Sequence, residues 1–279
     1  MTEAVLAGRW RLSFATEPAL DVSARLWFLV ATLGHWIFVA YVAGYYAPLL
    51  VQGGLQALQK AHLFNGYIPG DTVGNVAVAG HVLLAVIILG GGPLQLVPQI
   101  RARFPTFHHW LGRTYILTAV TSAAAGLYLI WTRPLFGALI TNIATSIDGV
   151  LIIVFAGIAL RYAIARDIRT HRRWAMRLFM VTGSVWFLRV GFRTWDVLTG
   201  GIGIDEETFT GPFVYAWHFG QYLLPLAVLE LYFRARDSAS AHHRSAMAIG
   251  LFALTVLMTI GIVQNARNSW LPRLFESAY

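Results

Sequence analysis

The chain reads as an all-α integral membrane protein, one bundle of seven transmembrane helices over residues 1–279, with its N-terminus cytoplasmic and its C-terminus extracytoplasmic. Three observations predict this. Seven apolar runs are each long enough for a bilayer core roughly 30 Å thick, which takes about 20 helical residues. Of all residues 57% are hydrophobic and only 12% charged, a balance that suits lipid as the main solvent. Basic residues gather in alternate connections between the runs. Lipid admits only helices or closed barrels, because every backbone group must be paired internally. Runs this long and uniformly apolar are not barrel strands.

Residues 1–25 are mostly polar and lack a separate apolar core with a small-residue cleavage site, so they read as a cytoplasmic tail rather than a signal peptide. The first span, Leu26–Leu50, carries His35 in its inner third, where a lone histidine reads as a hydrogen bond between packed helices. Residues 51–75 form a long outer loop. Its stretch from Leu55 to Phe64 has helical spacing, and Asn65-Gly66 and Pro69-Gly70-Asp71 punctuate the rest. The second span, Val76–Val97, is interrupted in its inner half by Gly90-Gly91-Gly92-Pro93, which suits either a close helix crossing or a flat ring against the backbone. The third span is His109–Trp131. The fourth, Leu135–Ala163, holds Asp148 near mid-membrane, where it is neutral, relays protons, or bonds to Asn142 or a serine such as Ser146.

The fifth span, Arg172–Phe192, leads to a cluster of Arg189, Arg193 and Asp196 near the outer face; Asp196 pairs with Arg193, leaving Arg189 for an acidic ligand group. The sixth, Pro212–Phe233, is expected to kink at Pro225, with Glu230 shallow enough to snorkel. The seventh is Met247–Gln264. A faint echo links His81, Arg101-Ala-Arg103 and His108-His109 to His218, Arg234-Ala-Arg236 and His242-His243. A duplicated hairpin explains it, and so does the plain accumulation of arginine wherever a helix exits inward.

One set of connections holds fifteen of the 21 basic residues and the other holds six (Lys60, Arg133, Arg189, Arg193, Arg267 and Arg273). Basic loops stay in the cytoplasm, which sets the orientation. The same asymmetry accounts for the net charge of +8 without a nucleic-acid partner. There is no cysteine, so disulfides, thiolate metal sites, iron–sulfur ligation and covalent c-type haem are excluded.

Chemistry is to be sought at the histidines. His81 lies about five residues into the second span and His218 about six into the sixth; both spans run inward, so at roughly 1.5 Å per residue both sit just under the outer face. Two facing imidazoles can hold a b-type haem, and they can equally form a structural hydrogen-bonded pair or a proton site. At the inner face, His108-His109-Trp110-Leu111-Gly112-Arg113 opens the third span and His171-Arg172-Arg173-Trp174-Ala175-Met176-Arg177 the fifth. Histidine and arginine at helix N-termini favour anions such as propionates, lipid phosphates or a quinone headgroup. Arginine and tryptophan at that depth are also ordinary interfacial anchors. His109 is preferred over His108 because it lies one residue deeper.

The segment from His81 through Gly90-Gly91-Gly92-Pro93, Gln95 and Arg101 to His108-His109-Trp110-Leu111-Gly112-Arg113-Thr114-Tyr115, together with Thr170-His171-Arg172-Arg173-Trp174-Ala175-Met176-Arg177, resembles a family of predicted bacterial multi-pass membrane proteins of unknown function. That resemblance covers the central half of the chain and implies the bacterial inner (cytoplasmic) membrane. A looser likeness is to di-haem b-type membrane cytochromes. It implies His81 with His218 as outer ligands and His109 with His171 as inner ligands, although the fourth span has no histidine and the inner candidates sit almost at the headgroups.

The expected function is an intramembrane electron carrier with one or two haem b groups. Arg113, Arg177 and Arg189 would contact propionates or an anionic headgroup, and electrons would pass to quinone or to a redox partner protein. The alternatives are a non-redox transporter, sensor or accessory subunit binding an anionic lipid or quinone, and a zinc-dependent membrane hydrolase. For the hydrolase no HExxH-like spacing is present.

Overall fold

Helices α1 (Ala19–Gly53), α2 (Thr72–Leu96), α3 (Pro98–Arg103), α4 (Pro105–Thr132), α5 (Leu139–Ile164), α6 (Ile168–Thr182), α7 (Ser184–Thr199), α8 (Pro212–Asp237), α9 (Ala241–Asn265) and α10 (Leu271–Glu276) make up the computed structural model, which describes residues 18–61, 63, 65–133 and 139–276. Among the described residues there is no β-strand, only an isolated bridge between Asp205 and Thr210. Of the expected tail over residues 1–25, residues 1–17, with Arg9 and Arg11, lie outside the described residues, and residues 19–25 belong to α1 rather than to a tail; His62 and the start of the expected fourth span also lie outside.

Five helices are long and apolar enough to cross a membrane: α1, α2, α4, α5, and α9 continued through a π-turn (Ala266–Trp270) into α10. The pair α6 and α7 makes a sixth crossing if counted as one span bent by 54°. The sequence suggested an unbroken fifth span; the break falls at Thr182-Gly183-Ser184, where Gly183 caps α6. Helix α8 has 26 residues, about 39 Å at 1.5 Å per residue, and is less apolar than the others.

Local sequence sets the helix starts. Asp71, Asp167 and Ser240 accept N-cap hydrogen bonds from the N–H groups of Gly74, Thr170 and His243. Pro98, Pro105 and Pro212 occupy first turns, where the missing N–H costs nothing. Gly90-Gly91-Gly92-Pro93 does not interrupt α2, which runs through to Leu96. Pro93 removes one donor, that for the Leu89 carbonyl, and a membrane helix tolerates such a single loss. A Cβ at Gly92 would come within 3.1 Å of Tyr115 and 3.2 Å of Phe179, and one at Gly91 within 3.1 Å of Leu111. The glycines therefore serve a close crossing of α2 with α4 and α6. Likewise α8 is continuous through Pro225.

The helices close into a ring: α1 packs on α2, α2 on α4, α4 on α5, α5 on α6, α7 on α9, and α9 back on α1, with α8 against α5, α6, α7 and α9. All basic connections fall at one end, here the basic end. There Arg173 pairs with Asp237 across α6 and α8, and Arg236 approaches Asp21 of α1. The outside is apolar, with Leu29, Leu33, Leu117, Val150 and Ile249 exposed, while Thr32, His35, Ser122, Asp148, Ser184 and Gln221 are buried. An apolar outer belt around an interior that holds polar groups is adapted to lipid.

At the opposite end the connection between α1 and α2 is built around Arg133, buried at 4% exposure. Its Nε and Nη2 donate to Asp71 Oδ2 (3.1 and 2.8 Å), Nη2 also to Asn75 Oδ1 (2.7 Å), and Nη1 to the carbonyls of Asn65 (2.8 Å) and Gly66 (3.3 Å). Asn65 and Gly70 take positive φ values of 50° and 83° at the two turns marked in the sequence. Of the helical stretch expected from Leu55, a 3₁₀ turn over Leu55–Gln59 is present.

Candidate functional site

A cavity of about 1660 Å³ opens at the basic end and extends along α1, α6, α7, α8 and α9. Its mouth is lined by Arg25, Arg101, His108, His109, His171 and Arg172. Deeper, Gly92, Tyr115, Phe179, Met180 and Leu229 supply an apolar wall, and the far end reaches Thr194, Trp195, Phe213 and Trp217. Ordinary small-molecule pockets hold about 300–1,000 Å³, so the shape suits a long occupant. Its polar groups are concentrated at one end, which suits an amphipathic one.

Three helices bring the mouth together. The short α3 carries Arg101, and the first turn of α4 carries His108, whose carbonyl accepts from Gln95 Nε2 (3.1 Å). The turn between α5 and α6 brings His171 back so that its Nδ1 meets the Ala159 carbonyl at 2.9 Å. His108 lies within charge–charge range of Arg101, His109 and His171. It is half-buried, and its Nδ1 is a buried nitrogen without a partner among the described residues. His109, preferred from depth, is exposed. One residue turns a helix by about 100°, and that rotation outweighs a 1.5 Å gain in depth.

The other expected site residues are placed apart from this mouth or already have partners. Arg113 is exposed and lies over Trp110, 5.1 Å from the ring centroid. Arg177 is forked onto Glu230 (Nε–Oε1 2.6 Å, Nη2–Oε2 3.0 Å) and stacks on Trp174 at 4.7 Å, so Glu230 holds an ion pair where snorkelling was expected. Replacing Glu230 by Ala is expected to cost about 1 kcal/mol, because the pair is partly solvated; the unfolding midpoint of the purified protein measures it. Arg189 donates to the Val185 carbonyl (3.0 Å) and lies over Phe38 at 5.4 Å. Arg193 and Asp196 pair at 3.5 Å as expected.

His81 on α2 meets Ser122 on α4, its Nδ1 lying 3.0 Å from the carbonyl and 3.2 Å from the hydroxyl. His218 on α8 donates Nδ1–H to Val214 O at 2.7 Å, with Phe192 and Phe209 edge-on to the ring at 6.1 and 6.5 Å. The two imidazoles thus have different recorded neighbours. They share one feature with His171: in all three, Nδ1 faces a backbone carbonyl, which leaves Nε2 as the nitrogen able to accept a metal. Among the described residues no group of three or more His, Asp or Glu is placed to hold a metal ion.

Two interior groups differ from expectation. His35 has neither nitrogen bonded among the described residues; it packs edge-on against Trp186 (4.4 Å) and Phe179 (5.6 Å), an aromatic contact in place of a polar one. Asp148 is bonded to neither Asn142 nor Ser146. Asn142 donates to Ile130 O at 3.4 Å and Ser146 accepts from Trp131 at 3.0 Å, whereas Asp148 Oδ2 accepts from Ser184, the first residue of α7. The helix break that brings Ser184 there was not foreseen, although the Thr182-Gly183-Ser184 triplet was its only sequence sign.

Residues 78–228, just over half of the chain, match the family described as "Predicted membrane protein (DUF2306)", and the chain belongs to that family. Neither a curated protein nor a solved structure matches it.

Proposed function

We propose that this DUF2306 protein binds a lipid-like molecule with an anionic or quinone headgroup, holding the head at the Arg101–His108–His171–Arg172 mouth and the chain in the apolar length of the cavity. The protein would serve as a transporter, sensor or accessory subunit for that lipid. The observation that carries this reading is the cavity itself, with its charged groups and histidines gathered at one end. Guanidinium and imidazole groups recognise phosphate, carboxylate or quinone oxygens through charge-assisted hydrogen bonds, and the orphan Nδ1 of His108 calls for such a partner. Helix α8 would be the seventh crossing. The basic end would face the cytoplasm of a bacterium by the positive-inside rule, with the N-terminus inside and the C-terminus outside.

Lipid retained by the purified protein, extracted and identified by mass spectrometry, tests this. Wild type should retain one lipid class above its share of the membrane. Arg101→Ala and His171→Ala should each weaken retention about ten- to a hundredfold, since one charge-assisted contact contributes about 1.5–3 kcal/mol. Equal retention by wild type and both variants would overturn the proposal.

A second reading is favoured by one observation, the shared Nδ1-to-carbonyl geometry of His81, His171 and His218. It suits axial ligation of haem b, with Arg101 and Arg172 beside His171 available to propionates. Bound there, haem would supply one-electron transfer, and the chain's own part would be to fix imidazole tautomers and to neutralise carboxylates. A haem absorption band in the protein purified in mild detergent, lost on replacing His171 or His218, would establish this reading. A colourless protein refutes it.

A further inference from the structure

Asp148 stands mid-way along α5, 4% exposed, among apolar side chains. Oδ2 accepts one hydrogen bond from Ser184, and Oδ1 is buried with no partner among the described residues. The site lies where the α6–α7 crossing breaks at Gly183. A bare carboxylate with a single hydrogen bond is among the costliest groups to place inside a membrane. Broken helices at membrane depth recur where ions are bound, because the break frees backbone groups to face them.

The geometry points to a reversible proton-binding site inside the membrane: Asp148 carries its proton on Oδ1 while Oδ2, as the carbonyl oxygen, accepts from Ser184. On release, the Oδ1–H bond breaks and the proton passes to a water molecule admitted at the helix break. The negative charge left behind is held by the Ser184 hydroxyl at the start of α7, where the helix dipole favours an anion. Tyr222 of α8 is the titratable neighbour within charge range. Among the described residues α7 contributes Ser184, and neither α4 nor α6 adds a charged group to this environment. A metal cation would need several converging oxygens, and among the described residues the hydrogen bonding at this point joins Asp148 to Ser184 alone. The site is separate from the cavity mouth and does not depend on what the cavity binds.

Infrared spectroscopy of the full-length protein in nanodiscs tests the assignment. Wild type should show a protonated-carboxyl C=O band at neutral pH that declines reversibly at alkaline pH. D148N should remove it. S184A should move it to higher frequency, because the carbonyl loses its donor. The S184A shift keeps the test decisive even if D148N does not fold. Three results would overturn the proposal: a band that survives in D148N, no band in wild type, or a band unmoved by both pH and S184A. Removal of the band by sodium chloride at constant pH, with no effect of potassium chloride, would make it a sodium site instead.

Discussion

Replacing Arg133 by Met is expected to lower the stability of the folded protein by about 3–5 kcal/mol, the range found when one partner of a buried ion pair is removed. Arg133 is the hub of the connection between α1 and α2. One guanidinium joins the Asp71 carboxylate, the Asn75 amide and the carbonyls of Asn65 and Gly66. Methionine fills much of the space but supplies no donor, so four acceptors each lose a donor, although Asn75 Oδ1 keeps the Ile68 N–H (2.9 Å). Gly74 shows how tightly the hub is built, since a Cβ there would come within 2.5 Å of the guanidinium. Thermal unfolding of the purified protein should show a large drop in midpoint for Arg133→Met and a comparable one for Arg133→Lys, because an ammonium cannot reproduce the fork. A midpoint within a degree or two of wild type would show that the loop holds without its hub.

The same cluster carries a pH dependence of known sign. The Gly74 backbone N–H and then the Arg133 guanidinium hold the Asp71 carboxyl below the usual carboxylate range. A carboxyl lower in the folded than in the unfolded chain adds stability above the unfolded value of about 3.9, and that stability is lost as pH falls through the folded value. The unfolding midpoint should therefore drop more steeply below about pH 4 in wild type than in Asp71→Asn. Parallel profiles would remove Asp71 as the cause.

Arg133 also shows what the sequence makes legible. Apolar run length and the distribution of arginine foretold the helices and the shared basic end, because both are one-dimensional signals of solvent. Arg133 was counted only as one charge on a lightly basic side. Its partner lies across a loop and the length of two helices, and no local pattern announces a pairing at that separation. The Arg193–Asp196 pair was readable because three residues on a helix fix the geometry in advance.

The candidate site divides in the same way. Residue type and depth drew attention to His108, His109 and His171, and the fold does bring the three to one mouth. The choice between His108 and His109 needed the rotation of α4 about its axis, which depth does not encode. The cavity behind them was not legible at all, since an empty volume depends on how five helices diverge. Ser184 on Asp148 was hidden for a related reason. A single glycine between two apolar runs is common in membrane helices, and only the crossing of α5 with α6 shows that this one turns the chain toward a buried acid.

The crossing of α7 with α9 should prove as sensitive as the Arg133 hub. A Cβ on Gly261 would overlap the Val190 carbonyl and come within 2.5 Å of Thr194 Oγ1 and 2.8 Å of Val190 Cγ1. Two of these obstacles offer no escape: a backbone carbonyl cannot rotate away, and Thr194 Oγ1 is tied to both Val190 O (2.9 Å) and Leu257 O (3.0 Å). Even Ala would push the helices apart, and the separation would stretch the bond from Asn265 Nδ2 to Arg189 O, now 3.0 Å. In lipid no water-driven attraction compensates, because association there rests on close packing and interhelical hydrogen bonds. Gly261→Ala is expected to cost about 1–3 kcal/mol and Gly261→Leu more than that. Asn265→Ala, which removes the tie without forcing the helices apart, should cost about 0.6 kcal/mol. The order Leu, Ala, then Asn265→Ala is the decisive readout in unfolding midpoints measured in one detergent. If Gly261→Leu unfolds with wild-type Gly261, then α7 is not seated on α9, and the far end of the cavity, lined by Thr194 and Trp195 from that same half-helix, would have to be redrawn with it.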